Sequence, residues 1–260
     1  MNESTKRTAQ TGKVGLVTGA NKGLGREIAR RLAGLGMTVY AGARDEGRGQ
    51  RTATELGQAG GDVHFLHLDV TDDASVTRAA ARIGEEFGRL DVLVNNAGIT
   101  VDVERPAPDR PSSSFRPSDV TADQVRRTYD VNVFGAVAVT HAMLPLLRRS
   151  PAARIVNMSS PLGSLGLRAD PAHLVAKVGL LAYGSSKAAL NSITLHYANE
   201  LRGTGILVNA ANPGFVATDL NTHTGNRTVE EGATIVIELA TLAEGGPSGA
   251  FLGDDGPVPW

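Results

Sequence analysis

The sequence predicts an α/β protein with a doubly wound parallel sheet, and three observations predict it. Short β-rich apolar runs alternate with longer helical patterns, which implies right-handed βαβ crossovers. Several of the runs are wholly apolar, as expected where helices cover both faces of a sheet. A glycine cluster directly follows the first run and opens the first helix, the position at which such sheets bind phosphates. Together these features describe a single-domain Rossmann-type fold with about seven parallel strands flanked by helices.

In chain order, strands are expected at Val14–Thr18, Thr38–Ala41, Val63–Leu68, Val92–Asn95, Arg154–Met158, Ile206–Ala211 and a short Ala250–Leu252. Helical patterns fall between them at Gly23–Leu35, Gly47–Gln58, Ala74–Phe87, Ala122–Leu147, Ala182–Leu201 and Val229–Leu242. Thr121 followed by Gln124 has the spacing of a capping box opening the fourth helix. A β/α barrel has a similar length and alternation, but the strand count and the glycines after the first strand favour the open sheet. Residues 13–260 read as one domain behind a flexible extension, residues 1–12. Val101–Ser118, with four prolines and three consecutive serines, and Pro161–Leu181, rich in Gly and Leu, read as loops. Both lie near the C-terminal ends of strands, where open sheets bind ligands.

Composition narrows the class. The chain has 260 residues, 41% hydrophobic and 20% charged, enough for a sizeable core. A net charge of -1 offers no field for nucleic acid or an anionic membrane. The absence of cysteine excludes disulfides, thiolate metal sites and a cysteine nucleophile. The polar N-terminus shows no secretory signal, and no run approaches the roughly 20 apolar residues of a bilayer span. The expected location is cytoplasmic. Charge is uneven: residues 1–50 hold nine Lys/Arg against four acids, and residues 200–260 hold two against eight. The first imbalance suits a small anionic ligand near the N-terminal third. The six histidines are scattered. His64 and His67 are three apart in a strand and face opposite ways, so no metal set emerges.

The turn Thr18-Gly19-Ala20-Asn21-Lys22-Gly23-Leu24-Gly25 is spaced G-x-x-x-G-x-G, and its glycines allow backbone N–H groups to approach a pyrophosphate. It resembles the TGxxxGxG fingerprint of the short-chain dehydrogenase/reductase family, and further motifs follow that family in order. These are Asp69-Val70, Asn95-Asn96-Ala97-Gly98, Asn132, Ser160, Tyr183-x-x-x-Lys187 and Asn212-Pro213-Gly214. The resemblance covers about residues 13–260. The glycine turn, Ala43-Arg44-Asp45 and the tail from Gly253 to Trp260 look most like the carbonyl-reductase branch. By this resemblance a nicotinamide dinucleotide is held by Gly19, Asn21, Lys22, Gly23, Leu24, Arg44, Asp69, Val70, Asn96, Ala97, Gly98, Tyr183, Lys187, Pro213, Gly214, Val216 and Thr218. Within that set Asp69 holds the adenine amino group and Thr218 the nicotinamide carboxamide.

The tip of the second strand separates NAD from NADP. An acid there binds the ribose 2′-OH, whereas arginine suits a 2′-phosphate. The strand runs into Arg44, Asp45 comes one residue late for a ribose contact, and Lys22 adds a second cation. NADP(H) is favoured, with NAD(H) as the alternative.

Tyr183 and Lys187 are four apart in a helical stretch and share one face. Carbonyl reduction needs an acid for the developing alkoxide, and a neighbouring ammonium is expected to lower the phenol pKa. Ser159 and Ser160 both qualify to hydrogen-bond the substrate oxygen, but adjacent strand residues face opposite ways. The family pattern places the catalytic serine at Ser160. By resemblance Lys187 also binds the nicotinamide ribose, and Asn132 orients a water relaying protons to Lys187. Ser160 and Tyr183 are 23 apart, longer than usual in the family. That stretch bears on pocket shape and on assembly: the helix carrying Tyr183 often forms a subunit interface, and the insert before it favours a monomer. Phe215–Glu230 is expected to form a mobile flap over nicotinamide and substrate. His173 reads as a surface residue, and Trp260 as packing against the body.

The expected activity is NADP(H)-dependent reduction of a ketone or aldehyde, reversible as alcohol oxidation. The rival within enzymes is an NAD-dependent alcohol or hydroxysteroid dehydrogenase. The rival outside them is a catalytically silent NADP-binding sensor, which has no need of Asn132, Ser160, Tyr183 and Lys187 together.

Overall fold

The computed structural model describes residues 10–102 and 115–260. Its centre is one sheet of β1 (Val14–Thr18), β2 (Thr38–Ala43), β3 (Val63–His67), β4 (Val92–Asn95), β5 (Arg154–Met158), β6 (Leu207–Asn212), β7 (Phe251–Gly253) and β8 (Gly256–Pro257). The order is β3-β2-β1-β4-β5-β6-β7-β8, parallel throughout except for the final β7–β8 pair. The expected seven parallel strands are present, and a two-residue antiparallel edge is added. β2 runs two residues further than its sequence pattern suggests, because Gly42 and Ala43 pair with Leu66 and His67.

Helices cover both faces: α1 (Gly23–Gly34), α2 (Glu46–Gln58), α3 (Asp73–Phe87), α4 (Ala122–Tyr129), α5 (Ala136–Leu147), α6 (Leu165–Ala169), α7 (Leu181–Glu200) and α8 (Val229–Ala240). Strand alternation sorts the core into two layers. Leu16, Leu93 and Ile155 join Ile83 of α3 and Met143 and Leu147 of α5 on one face. Val17, Val94 and Val156 join Ile28 and Leu32 of α1 and Val236 of α8 on the other. Each such burial stabilises by roughly 1.5–3 kcal/mol relative to exposure.

Two segments differ from their sequence reading. The pattern 122–147 is not one α-helix: residues 130–135 form a π turn between α4 and α5. One extra residue per turn does not disturb apolar periodicity enough to be read, and such turns gather at functional sites. The Thr121–Gln124 capping box is present. Residues 122–147 are also long and apolar enough to cross a membrane by length and composition, and 56% of an 18-residue apolar stretch within them is buried inside the fold. The second segment, 161–181, is structured rather than a plain loop. It contains 3₁₀ turns at 161–163 and 174–177 with α6 between them. Leu165 and Leu174 there are exposed. Of the proline-rich stretch 101–118, residues 103–114 lie outside the described residues, as do 1–9 of the N-terminal extension. Gln10 is buried and donates to the Leu35 carbonyl at 2.8 Å. Trp260 stacks on Phe251 with ring centroids 5.5 Å apart.

Strand order reverses between β1 and β4. The turns leaving these two strands therefore meet at the C-terminal edge of the sheet, the place where open α/β sheets bind ligands.

Candidate active site

The glycine turn and the Asn-Asn-Ala-Gly turn are bonded to each other. Thr18 Oγ1 accepts from the N–H groups of Asn96 and Ala97 at 3.0 and 2.9 Å, and Asn96 Nδ2 donates to the carbonyls of Thr18 and Gly19. Asn96 thus spends its side chain bracing the turn. Gly25 is required by that brace: a Cβ there would lie 2.4 Å from Asn96 Nδ2 and 2.5 Å from the Gly19 carbonyl. Gly19 and Gly23 adopt positive φ. α2, α3, α4 and α8 are each capped by a side chain, from Asp45, Asp72, Thr121 and Thr228. α1 is not: its capping position is Lys22, which makes no such bond, and its first turn carries no acid. The leading N–H groups of α1, with Asn21 and Leu24 beside them in the turn, suit an anionic group.

At the end of β2, Arg44 is exposed, while Asp45 turns away to cap α2, accepting from the Arg48 N–H at 2.8 Å. Lys22 is not free. Its ammonium is 2.5 Å from the Asp219 carboxylate of the segment after β6, and Asp219 also meets His223 Nε2 at 2.7 Å. Asp69 Oδ1 accepts from the Thr71 N–H and hydroxyl. Burial works to raise the Asp69 carboxyl, but the Thr71 bonds and Arg44 outweigh it and hold it below the usual range. The Val70 side chain is buried against Gly135 of the π turn, so it faces the core. Beyond β6, Gly214 has positive φ and donates to Asn212 Oδ1. The segment that follows Pro213 and Gly214 is held by backbone bonds from Ala217 to Arg227 and from His223 to Thr218. Val216 is buried there, and Thr218 approaches Gly23 of the glycine turn.

The four catalytic candidates converge beside these turns. Ser159 is buried and donates to Asn191 of α7 at 2.5 Å, which leaves Ser160 toward the site. The Ser160 hydroxyl meets the Tyr183 phenol and favours its ionised form, while also accepting from the Leu162 N–H. Lys187 is buried, donates to the Met158 carbonyl at 2.7 Å and stands 5.5 Å from the centre of the Tyr183 ring. The expected lowering of the tyrosine pKa is overturned: burial dominates and pushes the phenol up to about 12. Burial also brings Lys187 down to about 8. A methyl placed on Gly98 would lie 3.4 Å from Asn132 Oδ1 and 3.6 Å from Lys187 Nζ, so these groups share one pocket wall.

Asn132 sits in the π turn with both side-chain donors engaged. Nδ2 donates to the Ile99 carbonyl and to Ser186 Oγ, and Oδ1 accepts from the Ile99 N–H. Only the second lone pair of Oδ1 is left for a water. Ser186 in turn donates to the Tyr183 carbonyl at 2.7 Å. Sequence reasoning missed Ser186 and Asn191, although both lie on the Tyr183 face of α7 at helical spacing. It missed Arg168, whose guanidinium ties the carbonyls of Leu162 and Val178 on either side of the insert. It also missed Asp102, whose carboxylate receives the first N–H groups of α7. Nothing in local sequence marks a carboxylate that caps a helix 80 residues away. His173 accepts from the Val175 N–H at the 3₁₀ turn.

Comparison with known proteins bears on the family and the overall fold. The chain is 36% identical to short-chain dehydrogenase/reductase 1 of Saponaria officinalis, covering 96% of this chain and 97% of that one. It is 33% identical to carbonyl reductase (NADPH) 1 of Rattus norvegicus, covering 95% and 98%. The solved structure of NADPH-bound carbonyl reductase from chicken fatty liver superposes with a TM-score of 0.80 at 31% identity, covering 96% and 99%. The model of the short chain dehydrogenase family matches residues 13–228, and the chain belongs to that family.

Proposed function

We propose that the protein reduces a ketone or aldehyde to the alcohol at the expense of NADP(H), and runs in reverse as an alcohol dehydrogenase. The observation that carries the reading is the meeting of Ser160, Tyr183 and Lys187 beside the phosphate turn at the sheet's switch point. The dinucleotide supplies the hydride when bound. Its pyrophosphate is assigned to the open N-terminus of α1, and its adenosine phosphate to Arg44. Asp45 is already bonded to α2, so no free acid opposes a 2′-phosphate at the tip of β2. The carbonyl reductases from rat and chicken, which are named with NADPH, support the same choice.

The chain's own groups then handle the oxygen and the proton. Ser160 donates to the substrate oxygen, where negative charge develops. Tyr183, a phenol at neutral pH, gives its proton to that oxygen, because an alkoxide is the stronger base. The resulting phenolate faces the Lys187 ammonium and the Ser160 hydroxyl. Lys187, brought down to about 8, returns the proton, and a water on the remaining lone pair of Asn132 Oδ1 connects it to solvent. The test is consumption of NADPH and of NADH, followed at the reduced nicotinamide band, over a panel of ketones, diketones and aldehydes. Turnover with NADPH preferred is the expected result. Tight nucleotide binding with no turnover by either dinucleotide would favour the sensor instead.

A further inference from the structure

We propose that Asp102 is a positioning residue for catalysis, holding the Tyr183 phenol in place through the first turn of α7. The inference rests on the reading of Tyr183 as proton donor. The first N–H groups of any helix lack partners within it, and a capping side chain at the preceding residue ordinarily supplies them. The residue at that position of α7 is Leu180, which makes no such bond. Asp102 supplies them instead from the segment after β4. Its Oδ1 accepts from the Ala182 N–H and its Oδ2 from the Tyr183 N–H, each at 2.9 Å. Asp102 is 7% exposed, and Thr100 Oγ1 donates to its carboxylate at 3.3 Å. A carboxylate at a helix N-terminus is favoured by the dipole, and both bonds are charge-assisted.

Placement separates this contact from an ordinary cap. The residue it grips by the backbone is the tyrosine itself, and the phenol lies at the end of a long lever from that N–H. The same short stretch also fixes a second member of the site, because Ile99 clasps Asn132 through both its N–H and its carbonyl. Residues 99–102 therefore set Asn132 and Tyr183 relative to each other. Ser186 closes the loop from the other side by bonding Asn132 Nδ2 and the Tyr183 carbonyl. The chain returns to α7 at Phe115 and Pro117, which pack so closely on Gly179 that a Cβ there would lie 2.0 Å from the Phe115 carbonyl. The start of α7 is held on two sides, and only Asp102 among these contacts touches the Tyr183 backbone N–H.

The test compares Asp102→Ala and Asp102→Asn in the full chain, using NADPH and whichever carbonyl of the panel the unsubstituted enzyme reduces fastest. Asp102→Ala is expected to lower kcat by about ten- to a hundredfold, the scale of an ångström-sized misplacement, with the NADPH Kd unchanged. Asp102→Asn, which keeps one acceptor oxygen, should recover part of the loss. The discriminating readout is the same substitution in a Tyr183→Phe background. With no phenol left to position, Asp102→Ala should lower the residual kcat no further. An equal fold-loss in both backgrounds would make Asp102 a structural cap and overturn the proposal, as would Asp102 variants with unsubstituted kcat. If Asp102→Ala does not fold, Asp102→Asn carries the same cycle. Full activity of Tyr183→Phe alone would strike down the proton-donor reading itself. Active Asp102 variants beside an inactive Tyr183→Phe would strike down only the role of Asp102.

Discussion

The Lys187 ammonium stands 5.5 Å from the centre of the Tyr183 ring, one helical turn along α7, and is anchored on the Met158 carbonyl of β5. Burial governs both groups in opposite senses, raising the phenol to about 12 and lowering the ammonium to about 8. At neutral pH the pair is a phenol beside a cation that releases its proton readily, the arrangement a reductive proton relay needs.

Reductive kcat/KM should therefore fall as pH rises through about 8, where Lys187 loses its charge while Tyr183 keeps its proton. A pH profile of carbonyl reduction checks this. A rate constant level well beyond that point would show that the ammonium is dispensable.

The same shift has a consequence for stability. Lys187 in the folded chain lies below its ordinary value of 10.5, so between about 8 and 10.5 the unfolded chain binds more protons. Unfolding free energy should rise with pH across that window, and Lys187→Met should remove this contribution. Denaturant titrations at several pH values for the two proteins measure it.

Arg44 and Lys22 should differ in their weight on NADPH. Arg44 is exposed beyond β2, whereas Lys22 is already paired with Asp219. Losing a charge-assisted contact of about 1.5–3 kcal/mol makes Arg44→Ala raise the NADPH KM by about tenfold or more, with little change for NADH. Lys22→Ala should raise it less. Steady-state kinetics with both dinucleotides decide the order.

Gly25→Ala should destabilise the chain by about 1–3 kcal/mol, because the added methyl would drive into Asn96 and the Gly19 carbonyl. Dinucleotide binding should weaken with it. Thermal unfolding and fluorescence titration of NADPH report the two effects separately.

The parallel sheet was legible because short, β-rich and largely apolar runs are each set off by a helical pattern, as at Val14–Thr18 and Val92–Asn95. The glycine turn and the Tyr183/Lys187 pair were legible because their spacing is local. What was hidden depends on distance or on one residue of backbone register. The π turn at 130–135 leaves the apolar period intact, yet it decides where Asn132 points. The direction of the Tyr183 shift depends on how deeply α7 is buried, which residue spacing does not report. The Lys22–Asp219 pair and the Asp102 cap join segments about 200 and 80 residues apart.

The central claim is that Tyr183 delivers the proton at an intact dinucleotide site, and Tyr183→Phe tests it most directly. Carbonyl reduction and NADPH affinity should be measured on the same preparation of this variant and of the unsubstituted enzyme. The account predicts that kcat falls by about 10²–10⁴-fold while NADPH still binds tightly. Turnover at the unsubstituted rate with tight NADPH binding would contradict it.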